Sequence, residues 1–247
     1  MNRMAVVTGG AAGVGRAVLE RLLDDGWSVA AIDADREALA EAEDLFNGEE
    51  AVFLATDVTD EDELADAFDA AVNVFGPVSA LVNCAGLRRE LSVEQTSAEL
   101  FREILEINLV GSFIAAQAAL ERMDDTLAIV NLSSVSGLRA NAGAMAYGAS
   151  KAGVKMMTEV MAVELAGRGV RVNCVAPGIV EDPASSFDAD IERRRRWLAQ
   201  TPQRRCVGPG EIAAAVAYLL SSEAGSVTGH TLVVDGGFSV SGVSRGD

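Results

Sequence analysis

Seven short apolar runs divide this chain, and stretches of helical period fill the spaces between them. "MAVVT" (4–8) precedes an amphipathic run over about 13–25, "SVAAID" (28–33) one over about 35–46, and "AVFLAT" (51–56) one over about 60–75. "SALVN" (79–83) leads into a longer helix ending near Arg122, and "LAIVNLSS" (127–134) into the helix that holds Tyr147. "VRVNCVA" (170–176) and "TLVVD" (231–235) complete the series. Strands alternating with helices of about 10–15 residues build right-handed βαβ units around a parallel sheet covered on both faces. The expected fold class is α/β: one doubly wound domain over 1–247, with a parallel seven-stranded sheet flanked by helices. The 247 residues suffice for one large core.

Residues 181–206 break the alternation. The stretch is highly charged, contains Pro183, and follows a late strand on the side of the sheet where ligands bind, so it is a candidate substrate lid. Its run "ERRRRW" (192–197) suggests an anion-binding helix. However, four consecutive residues spread around about 300° of a helix, so these arginines cannot all face one pocket. A solvated helix is the preferred reading.

Composition removes several classes of function. The net charge is −17, which argues against nucleic acid and anionic membrane as partners. No apolar run approaches the roughly 18 residues of a membrane span, and "MAVVT" runs straight into a glycine-rich turn without a cleavage pattern. A cytoplasmic location is expected. Cys84, Cys174 and Cys206 fit neither a disulfide framework nor a zinc site, and no metal is expected. The one histidine, His230, lacks the GxSxG elbow that a Ser-His-Asp hydrolase of the α/β type would need.

The first turn carries the first chemistry. "TGGAAGVG", Thr8 to Gly15, follows a strand and opens a helix. Glycines let the backbone approach a pyrophosphate, and the helix N-terminus favours the anion. Asp33 ends the second strand twenty residues after Gly13, where a dinucleotide-binding Rossmann unit places a carboxylate for ribose hydroxyls. The glycine spacing is one residue longer than the commonest fingerprint.

That spacing resembles the TGxxxGxG of the short-chain dehydrogenase/reductase family, and the resemblance extends over nearly the whole chain. "TDVTD", "NCAG", "INLVGSF", "NLSS", "YGASK", "RVNCVAPG" and "VDGG" stand in the family's order. The resemblance implies a nicotinamide cofactor, here NAD, held by Thr8, Gly9, Gly13, Val14 and Gly15 at the turn and by Asp33 at the ribose. It further implies Asp57 and Val58 against the adenine, Asn83, Ala85 and Gly86 along the cofactor, and Pro177, Gly178 and Val180 beside the nicotinamide. Tyr147 is implied as acid/base, Ser134 as the group holding the substrate oxygen, and Lys151 as the ligand of the nicotinamide ribose. Asn108 is implied to position a water linking Lys151 to solvent. A homotetramer through helices at about 97–122 and 145–167 and the C-terminal region is the implied assembly.

The lysine is informative by itself. Only two of twenty basic residues are lysines, Lys151 and Lys155, and Lys151 falls four after Tyr147. Side chains four apart share a helix face. A free phenol is a poor base at neutral pH, and a nearby ammonium favours the phenolate. An ammonium also offers three donors to ribose hydroxyls and a proton relay. Lys155 has no assigned role and is expected in solvent or at a subunit contact.

Two departures stand out. Cys84 replaces the family's second asparagine, and Asp182 stands where a threonine is common. The leading expectation is an NAD-dependent oxidoreductase acting on a small secondary alcohol or ketone. The alternatives are a 3-oxoacyl-carrier-protein reductase, which "SSVSGLRANAGAMAY" also resembles, and a non-catalytic dinucleotide-binding regulator. The acidic "LERMDDT" (120–126) before the serine-bearing strand argues against an acidic carrier. Pocket residues are expected among Leu87, Arg88, Arg89, Leu138, Arg139, Asn141 and Trp197.

Overall fold

The computed structural model describes residues 3–181 and 191–242. Seven strands form one parallel sheet: β1 (Met4–Thr8), β2 (Ser28–Asp33), β3 (Ala51–Ala55), β4 (Val78–Asn83), β5 (Met123–Leu132), β6 (Val170–Pro177) and β7 (Thr231–Val234). Their order is β3-β2-β1-β4-β5-β6-β7. The chain starts in the middle, builds outward to β3, then returns to β4 on the other side of β1. The crevice outside the carboxyl ends of β1 and β4 is the ligand-binding place of such sheets.

Helices cover both faces. The β1 and β4 strands and the second half of β5, Leu127–Leu132, are buried on both sides, so they read as continuous apolar runs. One core cluster packs α3 (Glu61–Phe75) and α5 (Gly111–Glu121) against the sheet through Leu64, Phe68, Ile114 and Ala115. The other packs α1 (Gly13–Asp24) and α8 (Pro209–Leu220) on the opposite face through Val18, Leu22, Ile212 and Val216. A truncation such as Phe68→Ala at this fully buried site costs about 3–5 kcal/mol.

Local chemistry sets the helix starts. Asp35 accepts from Glu37 and Ala38 N–H at α2 (Arg36–Leu45), Asp60 accepts from Glu63 N–H at α3, and Ser97 accepts from Leu100 N–H at α4 (Ala98–Leu105). In contrast, α1 begins at Ala12 with no side-chain cap.

The single helix expected up to Arg122 is α4 and α5 joined by a π turn at Glu106–Val110. The combined run Ala98–Glu121 is long and apolar enough to cross a membrane by composition, but half of it is buried inside the fold, as for a core helix. The β5 strand begins at Met123, four residues earlier than the sequence pattern suggests, because Asp124, Asp125 and Thr126 continue it as an exposed end. Of the candidate lid, α7 (Ile191–Gln200) is described. Its flanks are pinned together where Glu181 N–H donates to Val207 and Val207 N–H donates to Ile179.

Candidate active site

The glycine turn is shaped by close approaches. Gly9 has φ +65°, and a Cβ there would lie 2.6 Å from the Ala85 nitrogen. A side chain on Gly15 would run into the Gly9 carbonyl. Gly13 also has positive φ, +54°, but nothing lies within 4 Å of where its Cβ would be. An open cradle at the uncapped start of α1 therefore faces free backbone N–H groups, the arrangement that holds a pyrophosphate. Asp33 stands beside it, accepting from Ala11 N–H at 3.1 Å and Asp35 N–H at 3.1 Å. A carboxylate has about four acceptor sites, so capacity remains for ribose hydroxyls. These residues fit a dinucleotide.

Further along the crevice, Asp57 is exposed and accepts from Thr59 through both its N–H and its hydroxyl. Val58 is buried, its side chain against Gly111. Asn83, at the end of β4, is buried and joins a polar row. Its carbonyl accepts from Thr8 Oγ1 at 3.3 Å, and its amide donates to Asn131 Oδ1 at 2.9 Å and to the Ser112 carbonyl at 3.1 Å. Asn131 in turn donates to Thr158 Oγ1 at 2.9 Å. The tight Gly178 places its backbone against Asp235, where a Cβ would meet the Asp235 Cα at 2.8 Å. Pro177 is buried at the end of β6, and Val180 bridges to Val207. Asp182 lies outside the described residues.

Of the four residues singled out for chemistry, Tyr147, Lys151 and Asn108 come together, and Ser134 follows the strand whose Leu132 carbonyl holds Lys151. Tyr147 and Lys151 sit one turn apart on α6 (Met145–Leu165), with the ammonium 5.9 Å from the phenol ring centroid. Lys151 is only 4% exposed, and its Nζ donates to the Leu132 carbonyl at 2.8 Å. A buried ammonium needs such acceptors. Gly86 lies against both this ammonium and the Asn108 side chain. Ser134 is buried at the end of β5, its hydroxyl accepting from Ser136 N–H at 3.1 Å.

Asn108 is the centre of the π turn and fully buried. Its amide clamps the backbone of Leu87 twice: Oδ1 accepts from Leu87 N–H at 2.6 Å and Nδ2 donates to the Leu87 carbonyl at 3.0 Å. Nδ2 also donates to Ser150 Oγ at 2.9 Å, and Ser150 donates to the Tyr147 carbonyl at 2.8 Å. π turns concentrate at functional sites, and here the extra residue turns Asn108 toward the loop after β4.

Sequence reasoning missed the supports. Asn131, Ser133, Ser150 and Thr158 are buried polar residues that hold the named four, with Ser133 Oγ donating to the Lys151 carbonyl at 2.7 Å. The signal was present: "VNLSS" and "GASK" put amides and hydroxyls in stretches otherwise apolar. Burial raises the Cys84 thiol to about 12, against the opposing charge of Lys151, and Cys174 to about 11. Both remain thiols near neutrality.

At the rim, Arg88 stacks over Tyr147 with 5.7 Å from its guanidinium carbon to the ring centroid, and it ion-pairs with Glu90. Trp197 of α7 stacks on Phe238 at 4.7 Å, and Arg139 covers Phe238 at 5.2 Å. Lys155 pairs with Glu159. On α7 Arg195 and Arg196 face solvent while Arg194 reaches the Cys206 sulfur, so the run is spread around the helix. The acidic stretch Glu121–Thr126 runs from the end of α5 into the first residues of β5, at the opposite end of that strand from Ser134. Its charges do not border the site, contrary to the expectation from sequence.

A solved short-chain type dehydrogenase/reductase from Mycobacterium ulcerans superposes with a TM-score of 0.92 at 29% identity, covering 98% of this chain and 91% of that one. A family model described as enoyl-(acyl carrier protein) reductase matches residues 9–239. The chain belongs to the short-chain dehydrogenase/reductase family. It is 39% identical to the 3-oxoacyl-[acyl-carrier-protein] reductase FabG of Vibrio cholerae over 238 residues, covering 96% of this chain and 97% of that protein. It is 38% identical to the cis-4-hydroxycyclohexanecarboxylate dehydrogenase of Sinomonas cyclohexanicum over 242 residues, covering 96% of each. This short-chain dehydrogenase/reductase is thus an oxidoreductase of CH–OH groups, moving a hydride between a nicotinamide dinucleotide and an alcohol or ketone.

Proposed function

We propose that the protein is an NAD-dependent oxidoreductase that oxidises a small secondary alcohol or, in reverse, reduces the ketone, with Tyr147 as acid/base. The observation that carries this reading is the pairing on α6 of Tyr147 with a buried lysine, beside the Asn108 clamp and with Ser134 buried just after β5. When bound, NAD accepts the hydride from the carbinol carbon. Tyr147 takes the hydroxyl proton in oxidation and returns it in reduction. Ser134 orients the substrate oxygen by hydrogen bonding. Lys151 holds ribose hydroxyls and, by its charge, favours the phenolate. Asn108 orders the Lys151 surroundings through Gly86 and Leu87, where a water reaching solvent completes the proton path.

NAD rather than NADP is supported by Asp33, whose carboxylate beside the Ala11 amide would repel a 2′-phosphate. Thr8, Gly9, Gly13, Val14 and Gly15 hold the pyrophosphate side, Asp57 and Val58 the adenine, and Asn83, Ala85, Gly86, Pro177, Gly178 and Val180 the nicotinamide half. Exposed apolar side chains on α5 and α6, Phe113, Met156, Val160 and Val163, support subunit contacts and so the homotetramer. The described residues act as one domain, in the cytoplasm, with 191–206 serving as lid; the rest of the expected lid, 182–190, lies outside the described residues.

A carrier-bound substrate is the second reading, favoured by the arginines Arg88, Arg89 and Arg139 at the rim. The two are separated by kcat/KM for a β-ketoacyl group on carrier protein and on a small thiol, at low ionic strength where steering is strongest. The expected result is no carrier advantage; a tenfold advantage that disappears with salt establishes the second reading. Absorbance of NADH formed with a panel of secondary alcohols tests the first. Comparable kcat/KM with NADP would refute the cofactor preference.

A further inference from the structure

The rim of the site differs in charge from the rest of the molecule. The chain has a net charge of −17, yet nine of its eighteen arginines fall on three segments: Arg88 and Arg89 after β4, Arg139 after β5, and the six between 193 and 205 after β6. Most of these face outward or are held by neighbours. Arg139 is engaged by the Phe238 ring and carbonyl, Arg204 by the Ala199 carbonyl, and Arg205 by Glu211. One of them reaches the catalytic tyrosine. The Arg88 guanidinium lies over the Tyr147 ring, on a loop whose preceding residue is fixed by the two Asn108 bonds. The loop is fixed again one turn on, where Leu91 N–H donates to the Gly143 carbonyl just before α6. The cation is therefore held in relation to the reacting atoms.

Its partner is informative. Nε and Nη2 of Arg88 both donate to one oxygen of Glu90, whose side chain is 16% exposed against 42% for Arg88. The pair shows that a carboxylate fits against this guanidinium. Glu90 is largely enclosed while the guanidinium is 42% exposed, so a substrate carboxylate would share the solvent-facing side of Arg88 with Glu90 and not displace it. Planar guanidinium binds carboxylates in a fork with charge-assisted hydrogen bonds.

We propose that Arg88 is a specificity-determining residue that receives an anionic group on the substrate, so that the enzyme selects hydroxy acids and keto acids over neutral alcohols. This rests on the site reading given above. From the span between the ring and the guanidinium, the carboxylate stands about two to four bonds from the carbinol carbon, allowing one hydrogen bond at each end. The acidic surface of a carrier protein does not meet this requirement, because a long thioester arm separates it from the reacting carbon. The anion and the carbinol belong to one small molecule.

The test compares hydroxy acids with their own methyl esters, 3-hydroxybutyrate and 4-hydroxypentanoate first, in the intact protein with NAD. The acid is expected to exceed the ester in kcat/KM by about 10- to 100-fold, carried by KM. Arg88→Gln lowers that acid-to-ester ratio at least tenfold, and Arg88→Lys restores part of it. Acid and ester used equally by the wild type, or an unchanged ratio in Arg88→Gln, overturns the proposal. A second readout does not need turnover: the acids, with NAD, raise Tm of the wild type more than the esters do, and Arg88→Gln removes the difference. Absence of an acid-specific shift in the wild type overturns the inference even where alcohols are oxidised. A shift without turnover of any alcohol sustains Arg88 as the anion site and defeats the dehydrogenase reading instead.

Discussion

At the ends of β1, β4 and β5, Thr8, Asn83 and Asn131 are buried and hydrogen-bonded to one another, and Lys151 behind them is anchored on the Leu132 carbonyl. In the loops above, Arg139 is exposed and the Arg88 side chain is 42% exposed, and both lie over aromatic rings, Arg88 pairing with the more enclosed Glu90. The first region has no slack: each group fixes the next, and losing one leaves a buried partner unsatisfied. The second borders solvent through its guanidinium groups. On the proposed reading, the inner row serves the chemistry common to any substrate, and the rim selects among substrates.

The largest expected effect lies at the meeting of the two regions. Tyr147→Phe lowers kcat by about 10²- to 10⁴-fold on every substrate, since it removes the proton donor and acceptor, while NAD binding by calorimetry remains. Retention of a tenth of wild-type kcat would remove Tyr147 from its role. Next comes the inner row. Asn131→Leu strands one N–H of the buried Asn83 amide and takes a donor from the buried Thr158 hydroxyl, which keeps its bond to the Val154 carbonyl, and is expected to cost about 1–3 kcal/mol. Read by thermal denaturation, this is about 2–12 °C in a chain this size, with acids and esters losing activity alike. A change in substrate ranking from this buried substitution would break the division between row and rim.

The smallest effect lies on the outer rim. Arg205 donates twice to Glu211, and these bonds, with the Gly208 N–H, hold the Glu211 carboxyl at about 2 against an ordinary 4.5. A depressed carboxyl contributes stability above its unfolded value and loses it as pH falls through the folded one. The Tm gap between wild type and Arg205→Gln is therefore full at pH 6, narrows below about 4.5 and closes near 2. A gap that persists unchanged at pH 2 would show that Arg205 acts by packing and not by this pair.

The same division governs what the sequence made legible. The strand-helix alternation announced the sheet, and family spacing picked out Asn108, Ser134, Tyr147 and Lys151. Apolar period could not reveal the π turn, because one inserted residue changes neither the composition nor the apolar stripe of 98–121 by much. Yet that insertion turns Asn108 to Leu87. Two aspartates hid the start of β5, since their low strand propensity reads as a loop while the backbone continues the ladder. The Arg88–Tyr147 stack joins residues 59 apart, and nothing local in "GLRRE" shows which arginine turns inward. The Glu121–Thr126 stretch was read at the wrong end of its strand, because sequence distance from Ser134 does not say how long the strand is.

The buried amide row has a consequence for how the chain avoids mispairing. Central parallel strands apolar on both faces carry little information about alignment, since sliding one by a residue only exchanges one greasy face for the other. Here Thr8 lies beside Asn83, and Asn83 beside Asn131. Slide β4 or β5 by one position and each amide faces a valine neighbour's place, buried and without a partner. A misaligned intermediate would thus carry several unmet polar groups at once. The residues that stand behind Lys151 thus also act as a proofreading key, disfavouring wrong alignments of the sheet before there is any site to assemble.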